Sequence, residues 1–271
     1  MTLRATYVNG KTATADDLAP LAFAGYAHFT AMQVVDGGVR GLDLHLDRLR
    51  HGSDVLFGAH LPDDVIVEFL RAAVHDASAA HGPDASLSCY VTSRPGEFAA
   101  SASAPALDVV IKVGDPAQPP AGPLALDLVR HQRHLAGVKH VGEVAKTLYL
   151  RRARERGFDD AAFVDTDGRL AEATIWNLAF RAGDGTIVWP EADVLPGVTM
   201  QIVRRRLAES GAPQVTRAVS DGDVAGMSAV VLNSWTPAVP LSRLGDQRLE
   251  PADELTTLLH EAYRSEPLRP L

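Results

Sequence analysis

The chain has 271 residues, 46% hydrophobic and 22% charged, a balance that excludes a disordered polymer and suffices for one large or two ordinary cores. Its formal net charge is −8, from 26 basic and 34 acidic side chains, and no basic run offers a nucleic-acid footprint. The single cysteine, Cys89, excludes an internal disulfide and reads as a buried thiol of a reducing compartment; with no signal-peptide core at Met1–Thr6 and no membrane-length apolar stretch, the expectation is a soluble cytoplasmic protein.

Taken in order, Thr6–Lys11 reads as a strand and turn, and Phe29–Val39 as a β-hairpin broken at Asp36-Gly37-Gly38. Leu42–Phe57 follows as a helix with Leu46, Leu49 and Leu56 on one side. Asp63–Ala80 is a second helix, because Ile66, Phe69, Leu70, Ala73 and Val74 recur at the spacing of one helical face. Strands are expected near Ser86–Thr92 and Leu107–Val113. The stretch Asp115–Pro123 holds four prolines in nine residues, which no helix or strand interior tolerates. The chain therefore divides into a small N-terminal α+β domain (1–115), a linker (116–123) and a larger β-rich domain (124–271).

Within the second domain, Lys139 is expected at a strand end. Ala145–Arg156 reads as a helix closed by Gly157, and Asp160–Asp165 as a buried strand. Thr166-Asp167-Gly168 is a hairpin turn, and the return strand runs from Arg169 through Glu172 towards Trp176–Phe180. Lys139 and Glu172 lie 33 positions apart (172 − 139), on elements able to fold back on each other. Pro196-Gly197 makes a turn, and Thr199 is expected to cap a helix over Met200–Ala208, whose N-terminal N–H groups and dipole would suit a phosphate. Val230–Leu232 reads as a buried strand entering a turn at Ser234.

These segments resemble the class IV aminotransferases, the fold type IV family of pyridoxal-phosphate enzymes. The resemblance rests on His45-x-x-Arg48-Leu49, Lys139, Gly157-Phe158-Asp159-Asp160, Asp165-Thr166-Asp167-Gly168, Glu172, Asn177 and Leu195-Pro196-Gly197-Val198-Thr199, in the family's order. It implies an α+β fold of type IV, with a small N-terminal α/β domain and a larger, β-rich pseudo-barrel domain. It implies that Lys139 forms the Schiff base with pyridoxal 5′-phosphate and that Glu172 keeps the pyridinium nitrogen protonated. Arg48, the Val198 N–H and Thr199 would bind the phosphate, Leu195 would pack on a ring face, and Ser234 stands where some members use a hydroxyl on the phosphate. Phe29, in the N-terminal hairpin, and Arg40 and Arg94 are candidates for holding substrate. The family is homodimeric, so a homodimer is expected, with a small amino donor and a keto acceptor as substrates and neither nucleic acid nor membrane as partner.

The sequence departs from the family at Gly142 and Glu143, where many members have Asn-Tyr and the tyrosine serves the ring's phenolic oxygen. Lys146 superficially mimics the motif's lysine but lies only 26 residues before Glu172 (172 − 146), and reads as a helix-surface lysine. The histidines lack metal-ligand spacing, so no metal is expected. The reaction implied is transamination through Lys139. The alternatives are a lyase of the 4-amino-4-deoxychorismate type, which the hairpin and the lysine-to-glutamate spacing favour, and a cofactor-binding protein without turnover.

Overall fold

The computed structural model describes residues 2–94 and 106–271, and of Ala80 and Arg94 the backbone alone. Its contacts divide the chain into two compact units. One comprises Met1–Gln118 with Val138–Gly142 and Pro267–Leu271, the other Pro119–Gly137 with Glu143–Glu266.

The first unit contains β1 (Leu3–Val8), β2 (Lys11–Thr12), α1 (Ala15–Phe23), β3 (Ala27–Val35), β4 (Gly38–Arg40), α2 (Leu42–Phe57), α3 (Asp63–His81), β5 (Ala85–Arg94) and β6 (Ala106–Gly114). An antiparallel sheet runs in the order β4-β3-β5-β6-β1-β2, and the C-terminal strand Leu268–Pro270 extends it beyond β4. One sheet face is apolar at alternate positions: Met32 and Val34, Leu87, Cys89 and Val91, and Val109, Ile111 and Val113 are all buried. Leu46 and Leu49 of α2, with Ile66, Leu70, Ala73 and Val74 of α3, complete this core, so the helical periodicity of the sequence faces the sheet. The expected hairpin is present, with Asp36 and Gly37 both at positive φ, the geometry of a tight two-residue connection. Cys89 is buried as expected, and burial pushes its thiol up to about 12.

Two imidazoles lock α2 to β3. His28 Nε2 lies 2.9 Å from Ser53 Oγ, and Thr30 Oγ1 lies 2.6 Å from His45 Nδ1. The close approach needs Gly52, where a Cβ would come within 2.5 Å of His28 Nδ1. Burial, aided by His51, lowers the His28 pKa to about 4; burial, aided by Arg48, lowers that of His45 to about 3. An unfolded chain takes up these protons near pH 6.5 while the folded one refuses them. The stability is therefore complete above pH 6.5 and falls as pH drops towards those values. The pair should cost about 3 kcal/mol of stability between pH 6.5 and 5. Calorimetry should show the melting temperature falling over this interval, and a flat profile would contradict two buried neutral imidazoles.

The second unit contains β7 (Leu124–Arg130), α4 (Val144–Glu155), β8 (Asp160–Val164), β9 (Leu170–Ala173), β10 (Asn177–Arg181), β11 (Ile187–Pro190), α5 (Val198–Glu209), β12 (Gln214–Arg217), β13 (Ser228–Asn233), β14 (Thr236–Leu244), β15 (Gln247–Arg248) and α6 (Asp253–Ser265). The proline-rich stretch before β7 carries no regular element. The sheet order β10-β13-β14-β7-β8-β9 returns to β10 through the pair Glu172–Asn177, which closes a six-stranded barrel. Its interior is packed by Leu126, Leu170, Leu178, Val231 and Val239, among others, while α5 and α6 cover a second apolar cluster around Trp189, Val203 and Leu255. Among the described residues, no helix is long and apolar enough to cross a membrane.

Candidate active site

In the second unit the barrel strands bring the sequence motifs together. Gly157, at φ +83°, ends α4 as the sequence requires, and Asp159 then exchanges backbone and side-chain bonds with Ala125 at the start of β7. Asp160 is buried. Its carboxylate accepts bonds from Thr174 Oγ1 (2.6 Å) and Trp176 Nε1 (3.0 Å), which fixes the corner between β9 and β10. Burial raises its pKa against the opposing pull of those bonds. Asp165 stabilises the hairpin turn by accepting the N–H groups of Asp167 and Arg169, both at 2.9 Å. These motif residues build the frame that presents Glu172.

Glu172 lies on β9 and is 3% exposed. Its Oε2 accepts the Leu195 N–H at 3.3 Å, while Oε1 faces Arg133 Nη1 at 3.4 Å and Lys146 Nζ at 3.9 Å. Asn177, opposite Glu172 across the ladder, donates Nδ2 to the Leu195 carbonyl at 2.8 Å. Leu195 is thus clamped on both its backbone groups. A Cβ on Gly197 would fall 1.9 Å from Asn177 Oδ1, so the Leu-Pro-Gly segment needs glycine there for close packing.

The helix that follows begins two residues earlier than the sequence indicates, at Val198 instead of Met200. Gly197 is the N-cap of α5, no side chain caps it, and Thr199 is a buried residue inside the first turn. Thr199 therefore does not cap the helix, because the contact with Asn177 places glycine at the cap position. First-turn N–H groups without a side-chain acceptor suit an anion. Val198 and Leu195 are buried beside it, and Ser234 is half-buried in the turn between β13 and β14.

Lys146 is not a surface lysine. It shares the inner face of α4 with Tyr149 and Ala153, its side chain is 13% exposed, and burial lowers its pKa against the opposing charge of Glu172. Glu143, at the N-cap of α4, lies 3.6 Å from Arg133. Arg133, 5% exposed, has no signature in the sequence that marks it as part of the site.

In the first unit Lys139 does not end a regular strand. It lies in an irregular segment that pairs with the free edge of β3: the Phe29 N–H donates to the Lys139 carbonyl at 2.8 Å, and the Val141 N–H to that of Ala27 at 3.0 Å. The edge is available because β4 pairs with β3 only at Val34 and Val35. Lys139 Nζ sits 4.8 Å from the centre of the Phe29 ring, which stacks on Tyr90 at 5.0 Å. Arg48 is half-buried on α2, and Arg40 is half-buried at the end of β4. Arg94 ends β5, its side chain outside the described residues.

Within the second unit, the buried carboxylate of Glu172 and the uncapped start of α5 are groups that fit the ring nitrogen and the phosphate of pyridoxal phosphate. The family model described as amino-transferase class IV matches residues 27–244. A probable branched-chain-amino-acid aminotransferase of Synechocystis is 28% identical over 113 residues, which span 41% of this chain and 37% of that relative. The fold matches the pyridoxal-phosphate-bound form of a hypothetical aminotransferase from Mycobacterium tuberculosis (TM-score 0.80, 17% identity, 97% of this chain and 98% of that one). It also matches the branched-chain aminotransferase of Thermoproteus uzoniensis solved with norvaline (TM-score 0.81, 17% identity, 97% and 94%). The chain belongs to the class IV aminotransferases, the pyridoxal-phosphate enzymes of fold type IV.

Proposed function

We propose that the protein is a transaminase that moves an amino group from an amino acid or small amine to a 2-keto acid. The observation that carries this reading is Glu172, buried and ionically paired, whose backbone clamp on Leu195 leads directly into the uncapped start of α5. When bound, pyridoxal phosphate supplies the electron sink for the pair released when a substrate Cα–H breaks. Glu172 would hold the proton at the ring nitrogen, which keeps that sink effective. Val198 N–H, Thr199 and the Arg48 guanidinium would bind the phosphate, the last through paired charge-assisted hydrogen bonds. Leu195 would pack on a ring face. Lys139 Nζ would hold the cofactor covalently until the donor's amino nitrogen takes its place, and the freed amine would then carry the proton from the substrate Cα as general base and acid. Phe29, Arg40 and Arg94 are proposed to orient the substrate, Ser234 to assist at the phosphate, and two copies of the chain to form the working assembly.

The test is a panel of amino donors, including branched-chain L-amino acids, D-amino acids and small chiral amines, scored with pyruvate and 2-oxoglutarate as acceptors. Amino-acid product from at least one donor is the expected result. Aromatisation of 4-amino-4-deoxychorismate with pyruvate release, and no transfer from any donor, would establish the lyase instead.

A further inference from the structure

Two buried carboxylates of the second unit are held in different ways. Asp160 accepts hydrogen bonds of 2.7, 2.6 and 3.0 Å from the Ala161 N–H, Thr174 Oγ1 and Trp176 Nε1. Among the described residues, Glu172 is given two longer ones: from the Leu195 N–H to Oε2 at 3.3 Å and from Arg133 Nη1 to Oε1 at 3.4 Å. We infer that Arg133 is a positioning residue: together with the Leu195 N–H it fixes the plane of the Glu172 carboxylate, and so sets the direction of the lone pairs left for the cofactor's ring nitrogen. This inference rests on the proposed cofactor role of Glu172.

A carboxylate offers about four lone-pair sites, and the torsion that turns its plane is soft. One donor on each oxygen removes that freedom and still leaves acceptor capacity open. The Arg133 guanidinium is itself held. Its Nε lies 3.6 Å from Glu143 Oε1, so the planar group spans two carboxylates from the irregular segment between β7 and α4. The Arg133 side chain is 2% exposed and that of Glu172 5%, so bulk water does not compete for the contact. Lys146 Nζ, 3.9 Å from Oε1, is beyond hydrogen-bond reach and leaves the orientation to Arg133 and Leu195. A buried ion pair is a weak source of stability compared with an apolar pair of similar volume. A pair kept here, on a carboxylate with acceptor sites to spare, points to a ligand.

The test uses pyridoxine 5′-phosphate, which has no aldehyde and binds without covalent attachment, and its 1-deaza analogue, in which a C–H replaces the ring nitrogen. The ratio of their dissociation constants for the full-length protein reports the contact of that nitrogen. A variant that merely loosens the fold weakens both ligands and leaves the ratio unmoved. Arg133→Met should lower the preference for the nitrogen-bearing ligand about tenfold, the worth of one hydrogen bond to a charged group. In the Glu172→Gln background the same change should leave the ratio as it is. A parent-like ratio in R133M overturns the inference. So does an equal drop in the E172Q background, which would show Arg133 acting on the ring without Glu172. If R133M does not fold, R133K decides: it keeps the charge, loses the planar fork and should lower the ratio about threefold, and a parent-like ratio overturns the inference equally. E172Q alone separates this inference from the reading beneath it. A ratio unmoved by E172Q overturns the cofactor role of Glu172, and the positioning role with it. A ratio moved by E172Q but by neither Arg133 variant overturns the positioning role alone.

Discussion

Lys139→Ala should bind pyridoxal phosphate without covalent attachment and transfer amino groups about 100- to 10,000-fold more slowly, the range that general acid–base catalysis contributes. The substitution leaves the backbone bond from the Phe29 N–H to the residue 139 carbonyl in place, so circular dichroism should be unchanged. The ammonium over the Phe29 ring is lost, and with it the only group to which the account assigns proton transfer at the substrate Cα. Single-turnover kinetics with an active donor would measure the effect. A variant within tenfold of the parent rate would show that another residue moves the proton.

Glu172→Gln should keep the covalent attachment and slow the amino-transfer half-reaction by about 100-fold or more, the cost of removing one preorganised electrostatic contact from a buried site. The amide oxygen can still accept the Leu195 N–H, so the clamp on α5 survives. An amide does not keep a ring nitrogen protonated as a carboxylate does, and the pull on the substrate's electrons weakens. The variant also leaves Arg133 and Lys146 facing a neutral group, so it should unfold about 3–5 kcal/mol more easily. Rapid mixing of loaded protein with donor gives the rate, and denaturant unfolding the stability. Parent-like half-reaction kinetics would remove Glu172 from the account.

The parts of this architecture that depend on neighbours in sequence were legible in it. The hairpin turn at Asp165–Gly168, the left-handed Gly157, the apolar face of α3 and the buried Cys89 all follow from local chemistry. Helix α1 was also marked locally, by a capping box from Thr14 to Asp17, but Pro20 within it masks the pattern. The burial of Lys146 is legible in principle, since it falls on the same helical face as Ala153, and its direction on the helix decides this where its distance from Glu172 in sequence does not. What could not be read is non-local. The contact of Asn177 with Gly197 moves the cap away from Thr199, the parallel pairing of β7 with β14 joins segments more than a hundred residues apart, and Arg133 reaches Glu172 from an irregular loop. Each depends on barrel closure, which the single pair Glu172–Asn177 completes.

Chemical reduction decides whether the cofactor attaches to Lys139. The protein loaded with pyridoxal phosphate should show the near-visible absorbance of lysine-bound cofactor, bleach with borohydride, and yield on digestion a single reduced adduct, on Lys139. An adduct on Lys146, or no adduct on any lysine of a loaded protein, would show that Lys139 does not carry the cofactor.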